Sequence, residues 1–176
     1  MNEVQDVTQR GVKKPVLGIV GASGMGKTTL ITALLPLLAA RGLRVSVIKH
    51  THHFVEMDTV GKDSWRHRQA GAQEVMLLSE REVAVWADVA TALTLDEQIA
   101  RLQPVDLVLL EGQKWQAVPK LEVYRPQLAA SLQCEQDPQC LAVVSDAVWP
   151  LVRPLLPLNN PECVCDFIYQ WWEQQI

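Results

Sequence analysis

The stretch Gly21-Ala-Ser-Gly-Met-Gly-Lys-Thr28 decides the fold of this 176-residue chain. It matches the phosphate-binding pattern G-x-x-x-x-G-K-[ST] at every position. Residues 15–20 before it form a short apolar run, which predicts a buried parallel strand. Residues 29–40 after it are largely apolar and are followed by Arg41-Gly42, which predicts a helix with a glycine at its end. A strand, a glycine-rich loop and a helix in this order predict a nucleotide-binding α/β domain.

The chemistry of this loop requires its residue types. Glycine permits a close wrap of backbone around phosphate oxygens, and the N–H groups at a helix N-terminus bind anions. Lys27 supplies a cation for the β- and γ-phosphates, and the Thr28 hydroxyl can bind Mg²⁺. The residues predicted to hold the phosphates are Gly21, Ala22, Ser23, Gly24, Met25, Gly26, Lys27, Thr28 and Thr29.

Besides the Thr28 hydroxyl, an acidic residue is needed near the metal, and Glu111 is the candidate. It ends the strongest apolar run, residues 105–110, and ligands in open α/β sheets collect at the carboxyl ends of strands. Asp106 opens the same run and should lie at the opposite edge, as a solvated or capping residue. We expect Glu111 to serve the metal through water or to polarise the attacking water. Lys27 and Glu111 are therefore the predicted catalytic residues.

The segment after the second predicted strand is polar and contains three histidines, His50, His52 and His53. It follows a strand end and should face the same crevice. Two interpretations stay open: a metal site, or a polar loop in which His50 contacts the nucleotide or a partner. Further along, Asp63 is a candidate for water-mediated contact with Mg²⁺, or Asp63 or Ser64 is the N-cap of the next helix.

The usual N-K-x-D signature for guanine recognition is absent from the sequence. Asp146 is the remaining candidate for contact with the base. A late apolar run ends in Ser145-Asp146. A carboxylate at this place can accept hydrogen bonds from the ring N1–H and the exocyclic amine of guanine. The alternative interpretation is that Asp146 caps a helix before Val148. The choice between GTP and ATP stays open on these residues alone.

The rest of the chain alternates between strand and helix patterns. We predict strands over residues 43–48, 74–78, 83–86, 105–110, 120–124 and 141–144, and helices over 63–70, 95–102 and 162–174. The second and third of these strands are expected to form a hairpin. Prolines should break residues 150–161 into short turns. We therefore predict an α/β, P-loop NTPase fold with a mostly parallel sheet flanked by helices, as one domain over residues 15–176.

Composition excludes several classes of protein. The net charge of −4 does not favour binding to nucleic acid or to an anionic membrane. No apolar run approaches 20 residues, so no transmembrane helix is expected. Residues 1–14 are polar and should form a disordered arm, which makes a cytoplasmic protein the expectation. Neither Cys134 and Cys140 nor Cys163 and Cys165 have the usual zinc spacing, so we expect reduced thiols rather than zinc ligands or a disulfide.

Four further blocks accompany the phosphate loop, and two of them, K-H-T-H-H and G-K-D-S, are far more specific than the loop itself. The four blocks are Val47-Ile-Lys-His-Thr-His-His53, Gly61-Lys-Asp-Ser64, Ala70-Gly-Ala72 and Leu110-Glu-Gly112. With these blocks in this order, the chain resembles the MobB family of molybdopterin-guanine dinucleotide biosynthesis adapter proteins over about residues 15–176. The chain departs from the family at Gln113, where a bulky apolar residue is frequent, and over residues 133–140.

The resemblance implies a dimeric P-loop GTPase with weak hydrolysis, which takes GTP and Mg²⁺. It implies two partners, molybdopterin and the guanylyltransferase that attaches GMP to it. By position, residues 21–29 would bind the GTP phosphates, Thr28 and Glu111 would serve Mg²⁺, and the histidine loop would border the site.

Other functions stay open beside this one. A small-molecule kinase would close a lid arginine over the transferred phosphate, and Arg66, Arg68, Arg81 and Arg125 are available. A nickel-insertion GTPase would use the histidine loop. A binding module without turnover overlaps the adapter interpretation, because hydrolysis is slow when no arginine finger is supplied.

Overall fold

The computed structural model describes residues 14–51, 58–128, 131–148 and 150–176. The chain forms two compact units. The first comprises residues up to His50 together with residues from Arg101 onward, and the second comprises residues 51–100. Residues 1–13 of the predicted arm lie outside the described part. The extent of the nucleotide-binding domain stays a prediction.

The residues that the structure describes form eight strands and four α-helices. In chain order the elements are β1 (Val16–Val20), α1 (Lys27–Ala40), β2 (Val45–Lys49), α2 (Asp63–Gln69), β3 (Glu74–Leu78), β4 (Val83–Ala87), α3 (Leu95–Ala100), β5 (Leu107–Glu111), β6 (Lys120–Tyr124), β7 (Cys140–Ser145), β8 (Leu155–Pro157) and α4 (Pro161–Glu173). The predicted alternation of strands and helices is confirmed, and the predicted ends differ from the observed ones by at most two residues.

A six-stranded sheet organises the first unit. Its strands lie in the order β2-β5-β1-β6-β7-β8, and each neighbouring pair is parallel. The carboxyl ends of all six strands therefore meet at one edge. On that edge Glu111 of β5 lies beside Lys49 of β2 on one side and Ile19 of β1 on the other. This confirms the predicted α/β class with a mostly parallel sheet.

The helices α1 and α4 pack together on one face of this sheet. α1 buries Leu30, Leu34 and Leu38, which recur every four residues and so share one side of the helix. Leu17 and Ile19 of β1 belong to the same core cluster, as expected for residues two apart on one face of a strand. This packing fixes the N-terminus of α1 beside the end of β1, where the phosphate loop lies.

The second unit contains α2, α3 and a β-hairpin. β3 and β4 pair antiparallel, with Leu78 opposite Val83 at the turn end, so the predicted hairpin is confirmed. Ser79 closes the turn: its N–H donates to the carbonyl of Glu82 at 2.9 Å, and its hydroxyl oxygen accepts from the Glu82 N–H at 2.9 Å.

Two expectations about the last third of the chain were wrong. The proline-rich stretch is not made only of turns, because it contains β8, whose last residue is Pro157. Among the described residues β8 pairs only with β7, and an edge strand tolerates proline because one side of it needs no ladder hydrogen bond. Cys134 and Cys140 are not free thiols but form a disulfide with a Cα–Cα distance of 5.2 Å, while Cys163 and Cys165 are free.

No helix in the described part of the chain is long and apolar enough to cross a membrane.

Candidate phosphate-binding site

The phosphate loop joins β1 to α1 through three glycines with positive φ. The φ angles are 132° at Gly21, 80° at Gly24 and 98° at Gly26, in a region that residues with a Cβ rarely adopt. The carbonyl of Gly26 accepts from the N–H of Leu30 at 2.9 Å, so the helix begins directly after the last glycine. The loop thus curls over the N-terminus of α1, the geometry that binds an anion with backbone N–H groups.

The side chain of Met25 anchors this loop to the core of the first unit. This side chain is buried in the main core, and its sulfur accepts from the N–H of Arg125 at 3.2 Å. Ala22, Ser23 and Gly24 are exposed at the tip of the loop. The loop is therefore fixed by one buried side chain and presents backbone to the surface.

Lys27 folds back over the loop that precedes it. Its Nζ donates to the carbonyl oxygens of Gly21 at 2.9 Å and Ala22 at 2.7 Å. Partial burial lowers the pKa of Lys27, Glu111 opposes that effect, and the nearby Lys49 adds to it. The ammonium therefore lies at the loop, in the place expected of a group that contacts phosphates.

Thr28, Glu111 and Lys49 form a contact triad at the carboxyl edge of the sheet. The Thr28 hydroxyl donates to Glu111 Oε1 at 2.5 Å, and Lys49 Nζ lies 3.2 Å from the same oxygen. The Glu111 side chain is only 9% exposed. A hydroxyl and a carboxylate are hard oxygen donors, the set that Mg²⁺ prefers when phosphates complete its coordination. These two residues fit the predicted Mg²⁺ site.

Asp106 lies at the opposite end of β5, as expected. Its carboxylate accepts from the N–H of Arg44 at 2.8 Å and from the Arg44 guanidinium at 3.0 and 2.9 Å. The side-chain hydrogen bonds with Arg44, then the backbone one, lower the pKa of Asp106 to about 2. This carboxylate links the starts of two strands and is not available to the nucleotide.

His50 lies at the carboxyl edge of the sheet, next to Glu111. Its N–H donates to the carbonyl of Glu111 at 3.3 Å, and its ring meets Trp115 edge-on with 5.0 Å between the ring centroids. His52 and His53 lie outside the described residues. Where the structure describes the chain, no group of three or more histidine, cysteine, aspartate and glutamate side chains could hold a metal ion.

Asp146 directly follows β7 and is connected to the phosphate loop through Arg125. Its Oδ2 is 3.3 Å from Nη1 of Arg125, and Arg125 Nε donates to the carbonyl of Met25 at 3.2 Å. No helix begins between Asp146 and Val148, so the N-cap alternative for Asp146 is wrong. Sequence reasoning named Arg125 only as one of several arginines. The strand-end rule would have found it, because it follows β6, the neighbour of β1.

Asp63 belongs to the second unit, where it is the first residue of α2. Lys62 and not Asp63 or Ser64 is the N-cap, so the predicted cap is wrong. Asp63 instead places its charge in the first turn, where the helix dipole favours an anion, and lies 3.9 Å from Arg66. Ser64 donates to Asp58 at 2.9 Å. The predicted Mg²⁺ contact of Asp63 stays a prediction.

Comparison with known proteins points to one family. Residues 16–146 match the family model of MobB, described as molybdopterin guanine dinucleotide synthesis protein B. The molybdopterin-guanine dinucleotide biosynthesis adapter protein of Haemophilus influenzae is 41% identical over 89% of both chains, and that of Escherichia coli is 36% identical over 92% of this chain and 95% of its own.

Solved structures agree with the sequence comparisons. A crystal structure of molybdopterin-guanine biosynthesis protein B superposes with a TM-score of 0.70 and is 31% identical, covering 89% of this chain and 99% of its own. The Bacillus subtilis MobB structure also superposes with a TM-score of 0.70, covering 89% of this chain and 96% of its own; at 24% identity it supports the fold alone. The predicted resemblance is confirmed, and this chain belongs to the MobB family.

Proposed function

We propose that this chain is an adapter in the synthesis of the molybdopterin guanine dinucleotide form of the molybdenum cofactor, and that it binds and slowly hydrolyses GTP. The adapter role rests on the family and on relatives of nearly equal length that carry that name. The nucleotide role rests on one observation above all: the Lys27 ammonium and the Thr28–Glu111 pair meet at the glycine-rich turn between β1 and α1.

Each side chain at this turn has a distinct task in the proposal. The loop N–H groups hold phosphate oxygens, and Lys27 exchanges its carbonyl contacts for the β- and γ-phosphates. Thr28 would hold Mg²⁺ directly and Glu111 would serve it through water; the ion would supply positive charge at the phosphate oxygens. Glu111, held in place by Thr28 and Lys49, orients the attacking water. Asp146 accepts hydrogen bonds from guanine.

The proposal also assigns partners. The relatives' names place them in a pathway that builds a guanine dinucleotide, so the partners proposed here are molybdopterin and the guanylyltransferase that joins it to GMP. Binding of GTP would change the surface that the loops at the strand ends offer to that enzyme. A cytoplasmic location, with no role for nucleic acid or membrane, completes the proposal.

A homodimer is part of the same proposal, and the hairpin of the second unit supports it. Met76, Leu78, Val83 and Val85 are cross-strand neighbours on one face and are 46–68% exposed. A contiguous apolar face of this kind marks an interface, and a second copy can cover it with the same face. Light scattering should give twice the 19.7 kDa chain mass, and Leu78→Lys should give monomer. Val152→Lys, at an exposed apolar residue of the first unit, is the control that should stay dimeric.

Equilibrium competition between GTP and ATP, with Mg²⁺ present, tests the nucleotide role. We expect a clear preference for GTP, and we expect Lys27→Ala to abolish binding. Retained micromolar affinity in Lys27→Ala would refute the phosphate-loop assignment. Preference for ATP would favour the kinase interpretation, and a stoichiometric nickel ion in the purified protein would favour metal insertion.

A further inference from the structure

Arg125 connects two parts of the nucleotide site that are far apart in sequence. It follows β6 directly, and β6 neighbours β1 on the side away from β5. Its backbone N–H donates to the sulfur of Met25, and its Nε donates to the Met25 carbonyl, both at 3.2 Å. Its Nη1 lies 3.3 Å from Asp146 Oδ2. One side chain thus contacts both the phosphate loop and the candidate base-recognition carboxylate.

We propose that Arg125 determines guanine specificity as a positioning residue, by bracing the Asp146 carboxylate against the phosphate loop. The inference rests on the proposed function, in which Asp146 accepts from guanine. A nucleotide spans both elements, so its base meets Asp146 correctly only when that carboxylate keeps a fixed place relative to the loop that holds the phosphates. Arg125 sets that place through contacts at both ends.

The shape of the guanidinium suits this task. It presents several N–H donors in a rigid plane, so Nε can bind the Met25 carbonyl while Nη1 binds Asp146. A lysine at this position keeps the charge but offers one flexible ammonium in place of the fork. A carboxylate has about four lone-pair sites, so Asp146 can keep its ion pair with Arg125 and accept hydrogen bonds from guanine at once.

Two features separate this role from general attraction between an arginine and phosphate. The Arg125 side chain is 38% exposed and that of Asp146 is 18% exposed, so their contact is partly shielded from water. The contact of Arg125 with the loop goes to a carbonyl, which holds the loop and does not compete for the phosphates. Charge alone would favour GTP and ATP equally, whereas a fixed carboxylate favours guanine.

The experiment measures the ratio of GTP to ATP affinity, by titration calorimetry with Mg²⁺, in wild type and four variants. Asp146→Asn and Arg125→Lys should each lower the ratio by about tenfold or more, because a hydrogen bond to a charged group is lost or misplaced. The double variant should fall no further than either single variant, since the two residues act as one unit. A merely destabilised protein would lose both affinities together and keep the ratio.

Arg44→Lys is the matched control. It removes the same fork from another arginine–aspartate pair, Arg44–Asp106, at the opposite edge of the sheet, and should leave the ratio unchanged. A wild-type ratio in Arg125→Lys, or additive losses in the double variant, would overturn the role of Arg125 and leave the proposed function intact. Absence of a GTP preference in wild type would overturn both.

Discussion

Replacing Gly21 with alanine should damage both the fold and the nucleotide site, for reasons that the structure separates. Gly21 has a φ of 132°, and a Cβ built there would lie 2.3 Å from the backbone oxygen of Val123 in β6. A backbone oxygen cannot turn aside as a side chain can, so β6 or the phosphate loop must move. Both are elements on which the site depends.

The size of the effect follows from two contributions. A side chain in a sparsely populated backbone region costs on the order of 1–3 kcal/mol. Steric overlap in a packed interior adds roughly 1–3 kcal/mol. We therefore expect Gly21→Ala to lower the free energy of unfolding by about 4 kcal/mol. Gly42→Ala is the control, because Gly42 also has a positive φ of 84° but, among the described residues other than its chain neighbours, no atom lies within 4 Å of its Cβ position. It should lose only the backbone contribution, about 1–3 kcal/mol.

Urea unfolding followed by tryptophan fluorescence measures both variants, and Mg²⁺-GTP titration follows on the folded protein. Gly21→Ala should be less stable than Gly42→Ala by about 2 kcal/mol and should lose GTP binding, while Gly42→Ala binds as wild type. Equal stability of the two variants would refute the steric argument. Wild-type GTP affinity in Gly21→Ala would refute the claim that this turn shapes the phosphate site.

Three further predictions concern single contacts. Glu111→Gln should bind GTP as wild type but hydrolyse it about a hundredfold more slowly, and an unchanged rate would remove this carboxylate from the mechanism. Reducing the Cys134–Cys140 disulfide with a dithiol should lower the free energy of unfolding by about 2 kcal/mol, given the short loop that it closes. A Cys134→Ala/Cys140→Ala double variant should be insensitive to the dithiol, and a wild-type protein equally insensitive would argue against the bond. Because Arg44 depresses the pKa of Asp106 to about 2, this pair stabilises the fold above pH 4 and is lost as pH falls towards 2. Acid titration of unfolding should therefore show a smaller loss between pH 4 and 2 in Asp106→Asn, and an identical loss would contradict the pKa shift.

Much of the fold could be predicted because its signals are local. The buried parallel strands read as short apolar runs, and α1 has apolar residues at its buried positions, so element type follows from nearby residues. β8 was not predicted because it has only three residues and ends in proline. Proline argues against a central strand but not against an edge strand. The disulfide was not predicted because a six-residue spacing does not fix the distance between two cysteines. The connection that crosses from β6 to the parallel strand β7 brings Cys134 and Cys140 together.

The candidate site also contains residues that the sequence predicted and residues that it did not. Residues 21–28 are contiguous, so one motif names the phosphate loop, and the strand-end rule places Glu111 beside it from 83 residues away. Asp63 as a helix cap was wrong because Lys62, which has no capping oxygen, takes that position. Arg125 lies in no motif; the strand-end rule marks it as a candidate, but its contact with the phosphate loop depends on a pairing between β6 and β1 that no short pattern encodes.

The order β5-β1-β6 explains why these distant residues matter to one loop. β5 brings Glu111 to the Thr28 side of the loop, and β6 brings Val123 and Arg125 to the other. The glycines give the loop its path, but a loop rich in glycine gains conformational freedom that must be removed before it can hold a ligand. The buried Met25 side chain and the Arg125 contacts restrict that freedom, and the Val123 oxygen leaves no space for a Cβ at Gly21. The phosphate loop is therefore pre-organised by the strands on either side of it, and substitutions on β6 should weaken nucleotide binding although no motif marks them.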